Sequence, residues 1–227
     1  MEIIKGITEK IDGNMRITIP TCAKNREIYF HRIGLNSDNL FIAKLIHGNK
    51  VIIIDQESKR RIMPDCDALM TDLPNIILGV TAADCLPIYF WNKQKTVIGI
   101  AHAGWRGVKS EIVTEVIKTF TKNFSVKTGD ILVEIGPHIL DCHFEIQDDL
   151  VKVFSDYSES VRRTEDKKYL NLQSIVEKQL ISVDINQKNI TKSTVCTFCD
   201  NKYFSYRRDK PEITEAMLAY IGLEEKT

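Results

Sequence analysis

The sequence lacks an excess of charge of either sign, because its 31 lysines and arginines equal its 31 aspartates and glutamates. General nucleic-acid binders usually carry a basic excess, so we expect no nucleic-acid partner. Long apolar runs are also missing: no segment approaches the roughly 18 residues that a membrane span requires. The first residues lack the apolar core of a secretory signal. We therefore expect a cytoplasmic protein with no membrane partner.

Common nucleotide-binding devices are absent as well, since the sequence contains neither a GxGxxG motif nor a Walker loop. It has no internal repeat and no linker rich in proline, glycine or serine, which predicts a single domain over residues 1–227. The six cysteines occur without a secretory signal. They are therefore predicted to be thiols or metal ligands rather than a disulfide framework.

Apolar runs and helical periodicity are present along most of the chain. The runs predict strands at 15–19, 40–46, 51–54, 75–82, 87–91, 96–101 and 131–136. The periodicity predicts helices at 23–34, 108–123, 146–156 and 171–183. Strands dominate the first 136 residues, and the helices between them do not follow a regular βαβ order. We therefore predict an α+β domain with mixed sheets rather than a doubly wound fold.

One thiol and two imidazoles lie at the edges of predicted strands. Cys85 and His102 stand at the two ends of a predicted β-hairpin, and His47 ends another apolar run. This set of side chains is what a three-coordinate zinc or copper site with an open position needs. The same residues could form a cysteine nucleophile with a histidine base, or simply pack in the core. The pattern leaves all three alternatives open.

Charged neighbours accompany these residues. Asp84, directly before Cys85, is placed either to orient a ligand or to form a turn. Arg106 follows two residues after Gly104 and supplies a fixed cation for an anion. Arg207, after an aromatic cluster, either binds an anion or forms an ordinary ion pair.

Two further pairs of potential ligands are predicted to be structural. Cys196 and Cys199 form a CxxC motif, but a single such motif without a second pair at the right spacing is a weak metal signal. Cys142 and His143 are adjacent, and adjacent residues in a strand point to opposite faces. We therefore predict no metal site from either pair.

Four segments together resemble the YfiH family, whose members are also called multicopper polyphenol oxidase (laccase) domain proteins, purine nucleoside phosphorylases or peptidoglycan editing factors. The segments are TAADCLPIYF (81–90), AHAGWRGV (101–108), EIGPHILDCHFEI (134–146) and CTFCDNKYFSYRR (196–208). The resemblance runs from residues 6–8 to 217–223. It implies a single α+β domain in which mixed β-sheets are flanked by helices.

The resemblance also implies the residues of a site. A metal site built from one histidine, one cysteine and a second histidine carries over to His47, Cys85 and His102. An Asn-Arg pair of the family matches Asn25 and Arg26, and its implied role is contact with phosphate or substrate through Arg26.

The metal is predicted from the donors that are available. The chain has only five histidines, too few for the several coppers of a true laccase once two are assigned to one site. A mononuclear Cys/His/His site with an open position suits zinc, and copper could replace it. Zinc with His47, Cys85, His102 and Asp84 then forms the predicted catalytic centre, and Arg106 is a second predicted phosphate contact.

The resemblance then implies a zinc-dependent purine nucleoside phosphorylase. Its expected substrates are phosphate and adenosine, inosine or methylthioadenosine, with adenosine deamination as a side activity. One alternative is a copper-dependent polyphenol oxidase. Another is a metal-free hydrolase in peptidoglycan editing, with Cys85 as nucleophile and His102 as base. A non-enzymatic module with a structural zinc would need a fourth convergent ligand. The protein is expected to be a monomer or a homodimer.

Overall fold

Fourteen strands and six α-helices form across residues 1–225, the part of the chain that the computed structural model describes. The strands are β1 (Glu2–Ile7), β2 (Leu40–Ala43), β3 (Val51–Ile53), β4 (Ile62–Met63), β5 (Ala68–Thr71), β6 (Ile77–Ala82), β7 (Leu86–Asn92), β8 (Ile98–Ala103), β9 (Ile131–Ile135), β10 (Glu145–Ile146), β11 (Val161–Arg163), β12 (Lys168–Leu170), β13 (Ile190–Lys192) and β14 (Met217–Glu224). The helices are α1 (Cys22–Arg32), α2 (Trp105–Lys109), α3 (Ile112–Phe124), α4 (Asp148–Val153), α5 (Leu172–Ser182) and α6 (Tyr206–Asp209).

Two large sheets and one small sheet organise these strands. A five-stranded sheet has the order β1-β14-β6-β2-β4, and a six-stranded sheet has the order β13-β9-β7-β8-β5-β3. The small sheet has the order β10-β12-β11. Both large sheets contain parallel and antiparallel pairs. In the five-stranded sheet β2 and β6 are parallel and β1 and β14 are antiparallel. In the six-stranded sheet β9 and β13 are parallel and β7 and β8 are antiparallel.

The two large sheets pack against each other, and helices cover their outer faces. Neighbouring side chains of one strand serve different interfaces, because they alternate across the sheet. Leu69 of β5 packs between the sheets, whereas Met70 faces a cluster with α3 and α5. In that outer cluster the buried rings of Phe90 and Phe120 have centroids 6.4 Å apart. Phe30 of α1 covers the other outer face.

This architecture confirms the α+β prediction of mixed sheets flanked by helices. The predicted hairpin is also confirmed, because β7 and β8 pair as antiparallel neighbours. The predicted helix at 171–183 appears as α5, and Asn171 caps it by accepting a hydrogen bond from the Ser174 amide at 2.9 Å. Among residues 1–225, no helix has both the length and the apolar character needed to cross a bilayer.

Other predicted elements differ from the structure. The strand predicted at 15–19 is wrong, because the Met15 amide donates to Ala216 and the Met15 carbonyl accepts from the Arg26 guanidinium. The helix predicted at 108–123 is two helices, α2 and α3, separated at Glu111, where φ is 57°. The sequence pattern does not predict β1, β5 and β14, which are short or lack a clear alternation.

Candidate functional site

The β7–β8 hairpin brings its two predicted site residues together. Leu86 pairs with Ala103, so Cys85, one residue before Leu86, lies opposite Gly104. His102 is part of β8, and only 2% of its surface is exposed. The register of one antiparallel pair therefore places the thiol beside the imidazole.

Gly104 lies where the three predicted ligands converge. A methyl group added at Gly104 would lie 3.0 Å from Cys85 Sγ and 3.6 Å from both His102 Cε1 and His47 Cδ2. The two imidazole rings meet edge to face with centroids 4.9 Å apart. The structure thus gathers all three side chains in one place, and their role as metal ligands stays a prediction.

Asp67 fixes the turn that carries His47. The φ of His47 is 61°, in the left-handed region that is costly for residues other than glycine. The Asp67 carboxylate accepts hydrogen bonds from the His47 amide at 2.8 Å and the Gly48 amide at 2.7 Å. These two bonds hold the strained turn in place, so the His47 ring stays next to the hairpin.

The same carboxylate faces His102. Asp67 Oδ1 lies 3.5 Å from His102 Nδ1, a charge contact longer than a well-formed hydrogen bond. The His102 amide also donates to the Asp67 carbonyl at 2.7 Å. Because Nδ1 faces Asp67, Nε2 is the ring nitrogen left for Cys85 or for a metal. This is the arrangement in which a carboxylate orients a metal-binding histidine.

Burial and neighbouring charges shift the pKa values of this group. Burial acts to raise the pKa of Asp67, but the contact with His102 and the amides of Gly48 and His47 lower it below its usual range. Burial lowers the pKa of His47, and the charge of His102 lowers it further. Burial acts to lower the pKa of His102, but the Cys85 sulfur and Asp67 raise it to about 9. Asp67 is therefore ionised at neutral pH.

Asp84 joins the loops around Cys85. It is buried, with φ of 83°, and its carboxylate accepts from Thr197 Oγ1 and from the Arg207 amide, both at 2.7 Å. Its carbonyl accepts from the Ile139 amide at 3.0 Å. Both carboxylate oxygens thus position neighbouring loops. A catalytic role for Asp84 stays a prediction.

A cavity of about 940 Å³ opens beside these residues, and His47, Cys85, His102 and Asp84 all line it. Its walls also carry aromatic rings and cations, namely Trp105, Phe144, Tyr206, Arg16, Lys44 and Arg207. Ligand pockets of this size hold small molecules, and polar groups in them fix the orientation of the ligand. The chemistry of the walls suits a ligand that combines a flat ring with negative charge.

The predicted phosphate contact Arg26 lies elsewhere. Only 8% of Arg26 is exposed, and its Nη1 donates to the carbonyls of Met15 at 2.9 Å and Arg16 at 3.3 Å. The neighbouring Asn25 donates from Nδ2 to the Asn14 carbonyl at 2.8 Å. Both side chains support the segment that carries Arg16 to the cavity, and direct contact with phosphate stays a prediction.

The other predicted phosphate contact, Arg106, is exposed. Its guanidinium carbon lies 4.2 Å from the ring centroid of Trp105. Trp105 itself lines the cavity. Of the cations Arg16, Lys44 and Arg207 in the cavity wall, only Arg207 is a candidate from the sequence.

The prediction that neither Cys142 and His143 nor the CxxC motif forms a metal site needs correction. Residues 141–143 form a turn, so the prediction that Cys142 and His143 point to opposite faces of a strand is wrong. The ligand atoms of Cys142, His143, Cys196 and Cys199 all lie within 4.8 Å of one another. This Cys/His group could hold a metal ion.

Sequence reasoning missed Asp67 and Thr197. The only local signal for Asp67 is its position directly before a short apolar run, which many surface aspartates share. Thr197 lies inside the CxxC motif, where a hydroxyl has no recognised meaning. Their importance comes from contacts with residues 19 or more positions away.

Replacing Asp67 with alanine is expected to destabilise the protein. The amides of His47 and Gly48 would lose their charged acceptor, and the fully buried Asp67 site would lose its side chain, which should lower the free energy of unfolding by about 2–4 kcal/mol. Urea denaturation measures this difference. The control is Asp72→Ala at the other, exposed end of β5, which should change the free energy by less than about 0.5 kcal/mol. Equal loss in both variants would contradict the role of Asp67.

Known proteins resemble the chain along most of its length. The family model described as multi-copper polyphenol oxidoreductase laccase matches residues 20–224. A purine nucleoside phosphorylase of Clostridium acetobutylicum is 36% identical over 205 residues, which cover 87% of this chain and 83% of that protein. The adenosine deaminase RL5, from an unknown prokaryotic organism, is 27% identical over 191 residues, which cover 78% of this chain and 72% of that protein.

A solved structure agrees with the fold as well. The crystal structure of YlmD from Geobacillus stearothermophilus matches with a TM-score of 0.91 and 27% identity, over 98% of this chain and 92% of that chain. The expected resemblance to YfiH proteins is therefore confirmed, and the protein belongs to the multi-copper polyphenol oxidoreductase laccase family, the family of YfiH and YlmD.

Proposed function

We propose that this protein is a zinc-dependent purine nucleoside phosphorylase acting on adenosine, inosine or methylthioadenosine, with adenosine deamination as a side activity. The observation that carries the proposal is the convergence of His47, Cys85 and His102 at a cavity large enough for a nucleoside. The names of the relatives, which include purine nucleoside phosphorylases and an adenosine deaminase, support the same class of reaction.

The residues at Gly104 fit a metal ion. One sulfur-bearing and two imidazole side chains lie within 3.0–3.6 Å of a methyl group built at Gly104, so suitable donor groups are close together. Asp67 faces His102 from behind, as carboxylates do behind metal-binding histidines. Three protein ligands with one open position are typical of catalytic zinc. Zinc bound by these residues would supply a Lewis acid that can accept a substrate oxygen or water.

Copper is the alternative metal. The same nitrogen and sulfur donors bind divalent copper more tightly than zinc, so copper can replace zinc when it is available. The five histidines of the chain do not suffice for a conventional multicopper cluster together with this site. Polyphenol oxidation is therefore kept as the alternative activity and not as the proposed one.

Cations in the cavity wall would hold the phosphate. Arg16 is fixed there, because its Nη1 donates to the Thr214 carbonyl at 3.0 Å and its Nε to Thr18 Oγ1 at 2.8 Å. Arg26 supports the same segment from the protein interior. A guanidinium held in this way needs little reorganisation when an anion binds. The expected influence of Arg26 on phosphate is thus exerted through Arg16.

Aromatic rings would hold the purine base. Phe144 and Trp105 line the cavity, and flat rings of this kind stack on other aromatic systems. The Arg207 guanidinium lies 5.4 Å from the Phe144 ring centroid, and its Nη1 donates to the Glu145 carbonyl at 2.9 Å. These contacts keep the cavity wall rigid where the base is proposed to lie.

Phosphorolysis requires the nucleoside and the phosphate to be held together. The bond between C1′ and N9 breaks, and a phosphate oxygen forms a new bond to C1′, while the departing purine takes the electron pair and gains a proton. Fixing both reactants in one cavity lowers the entropic cost of their encounter. The cations and aromatic rings of the cavity are proposed to align the phosphate with C1′ of the nucleoside.

Incubation with adenosine tests the proposed function. Full-length protein purified without added metal should release adenine only when phosphate is present. Removal of the metal with a chelator should abolish the release, and zinc should restore it. Cys85→Ser should lack the activity while it remains folded, and Cys22→Ser, a thiol-to-hydroxyl change in α1, should keep it.

Other products would identify the alternatives. Hydrolytic activity without any purine product, which survives chelation but is lost on thiol alkylation, would overturn the proposal in favour of a Cys85 hydrolase. Oxidation of phenols after copper loading, without any purine product, would overturn it in favour of the polyphenol oxidase.

Removing Arg16 should weaken phosphate binding. In Arg16→Ala the KM for phosphate is expected to rise about tenfold or more, because a charge-assisted hydrogen bond contributes about 1.5–3 kcal/mol. The KM for adenosine should change less. Arg60→Ala, on an exposed loop, serves as the matched control. If both variants show the same KM for phosphate as the unaltered protein, Arg16 does not bind phosphate.

A further inference from the structure

Two loops that follow parallel strands meet on one side of the molecule. β9 and β13 are parallel neighbours in the six-stranded sheet, so the segments after both strands leave at the same edge. The pairing continues into the loops through an isolated bridge between His138 and Cys196. The Thr197 amide also donates to the His138 carbonyl at 3.0 Å. This topology brings residues near 142 to residues near 199.

Three thiols and one imidazole converge between the loops. Cys142 Sγ lies 3.7 Å from Cys199 Sγ. His143 Nδ1 lies 3.3 Å from Cys142 Sγ and 3.2 Å from Cys199 Sγ. The fourth ligand atom, from Cys196, lies within 4.8 Å of the other three.

These separations match the edges of a metal tetrahedron. With zinc–sulfur bonds of about 2.3 Å and zinc–nitrogen bonds of about 2.05 Å, a tetrahedron has sulfur–sulfur edges of about 3.8 Å and sulfur–nitrogen edges of about 3.6 Å. The distances between Cys142, His143 and Cys199 are close to these values. A disulfide would need the sulfurs about 2.05 Å apart, and all six cysteines are free thiols.

Neighbouring groups orient two of the ligands. The His143 ring stacks on Phe198, with centroids 4.0 Å apart and planes inclined by 14°. This stacking directs Nδ1 toward the sulfurs. The Leu140 amide donates to Cys196 Sγ at 3.4 Å, a contact that supports a thiolate.

We propose that Cys142, His143, Cys196 and Cys199 form a second metal site, which holds a structural zinc ion. Three thiolates and one imidazole form a closed tetrahedral set, one of the common compositions of structural zinc sites. Thiolate-rich sets select zinc over magnesium, calcium and manganese. The site shares no residue with the His47, Cys85 and His102 group, so it does not depend on the proposed function.

The second site supports one wall of the cavity. Thr197 lies between two of its ligands in sequence and donates to Asp84 at 2.7 Å. The Ile139 amide, on the other loop, donates to the Asp84 carbonyl at 3.0 Å. Both loops therefore hold the residue that directly precedes Cys85. Zinc between them fastens the two loops to each other.

Zinc analysis of full-length variants tests the proposal. After dialysis against metal-free buffer, the number of zinc ions per chain is measured by elemental mass spectrometry. Cys199→Ser and Cys142→Ser, both changes of exposed thiols, should each contain one zinc fewer per chain than the unaltered protein and should melt at a lower temperature. Cys22→Ser, a thiol outside the cluster, should retain the full zinc content.

The absorption spectrum of cobalt-loaded protein tests the second metal site independently. Cobalt(II) loaded into Cys85→Ser protein should show the intense visible bands and thiolate charge transfer of a tetrahedral site. Adding Cys199→Ser should remove them. Equal zinc in Cys199→Ser, Cys142→Ser and Cys22→Ser would overturn the proposal. The proposal would also be overturned if the mass of the intact protein were lower by two hydrogen atoms because Cys142 and Cys199 form a disulfide bond.

Discussion

A buried carboxylate, Asp67, connects the two segments that carry the histidines of the cavity. Two amides of the His47 turn donate to it, and the His102 ring faces it at 3.5 Å. A buried charge is costly unless polar groups compensate it, and Asp67 accepts two amide hydrogen bonds and lies beside an imidazole. Without this carboxylate the left-handed His47 turn would lose its restraint and His102 would lose its orientation. The geometry at Gly104 therefore depends on one side chain that is itself no proposed metal ligand.

Asp84 connects this centre to the second group of potential ligands. It precedes Cys85, and it receives hydrogen bonds from Thr197, Arg207 and Ile139. Thr197 lies within the CxxC motif, so the loops that gather the second thiol cluster also hold the cavity wall. The family relationship is shown over residues 20–224. The proposed phosphorolysis and the proposed structural zinc concern neighbouring parts of one framework, and each is tested separately.

The sequence predicts the local parts of this framework better than the distant ones. Cys85 and His102 could be placed at one site because they flank two consecutive strands, and the register of a hairpin is a local property. Asp67 and Thr197 could not, because their contacts join residues far apart in the chain. Alternating apolar residues predict a strand at 15–19, but the Met15 amide donates to Ala216 of a distant loop and the Met15 carbonyl accepts from Arg26. The prediction that Cys142 and His143 point apart fails because these residues form a turn and not a strand.

A crystal structure of the zinc-loaded protein, recorded at the zinc absorption edge, would show directly whether His47, Cys85 and His102 bind zinc. The account predicts anomalous density within bonding distance of His47, Cys85 and His102, beside Gly104, with the His102 bond made by Nε2. The remaining position should face the cavity. Zinc-loaded crystals without anomalous density among these three side chains would contradict the account, whatever metal they hold elsewhere.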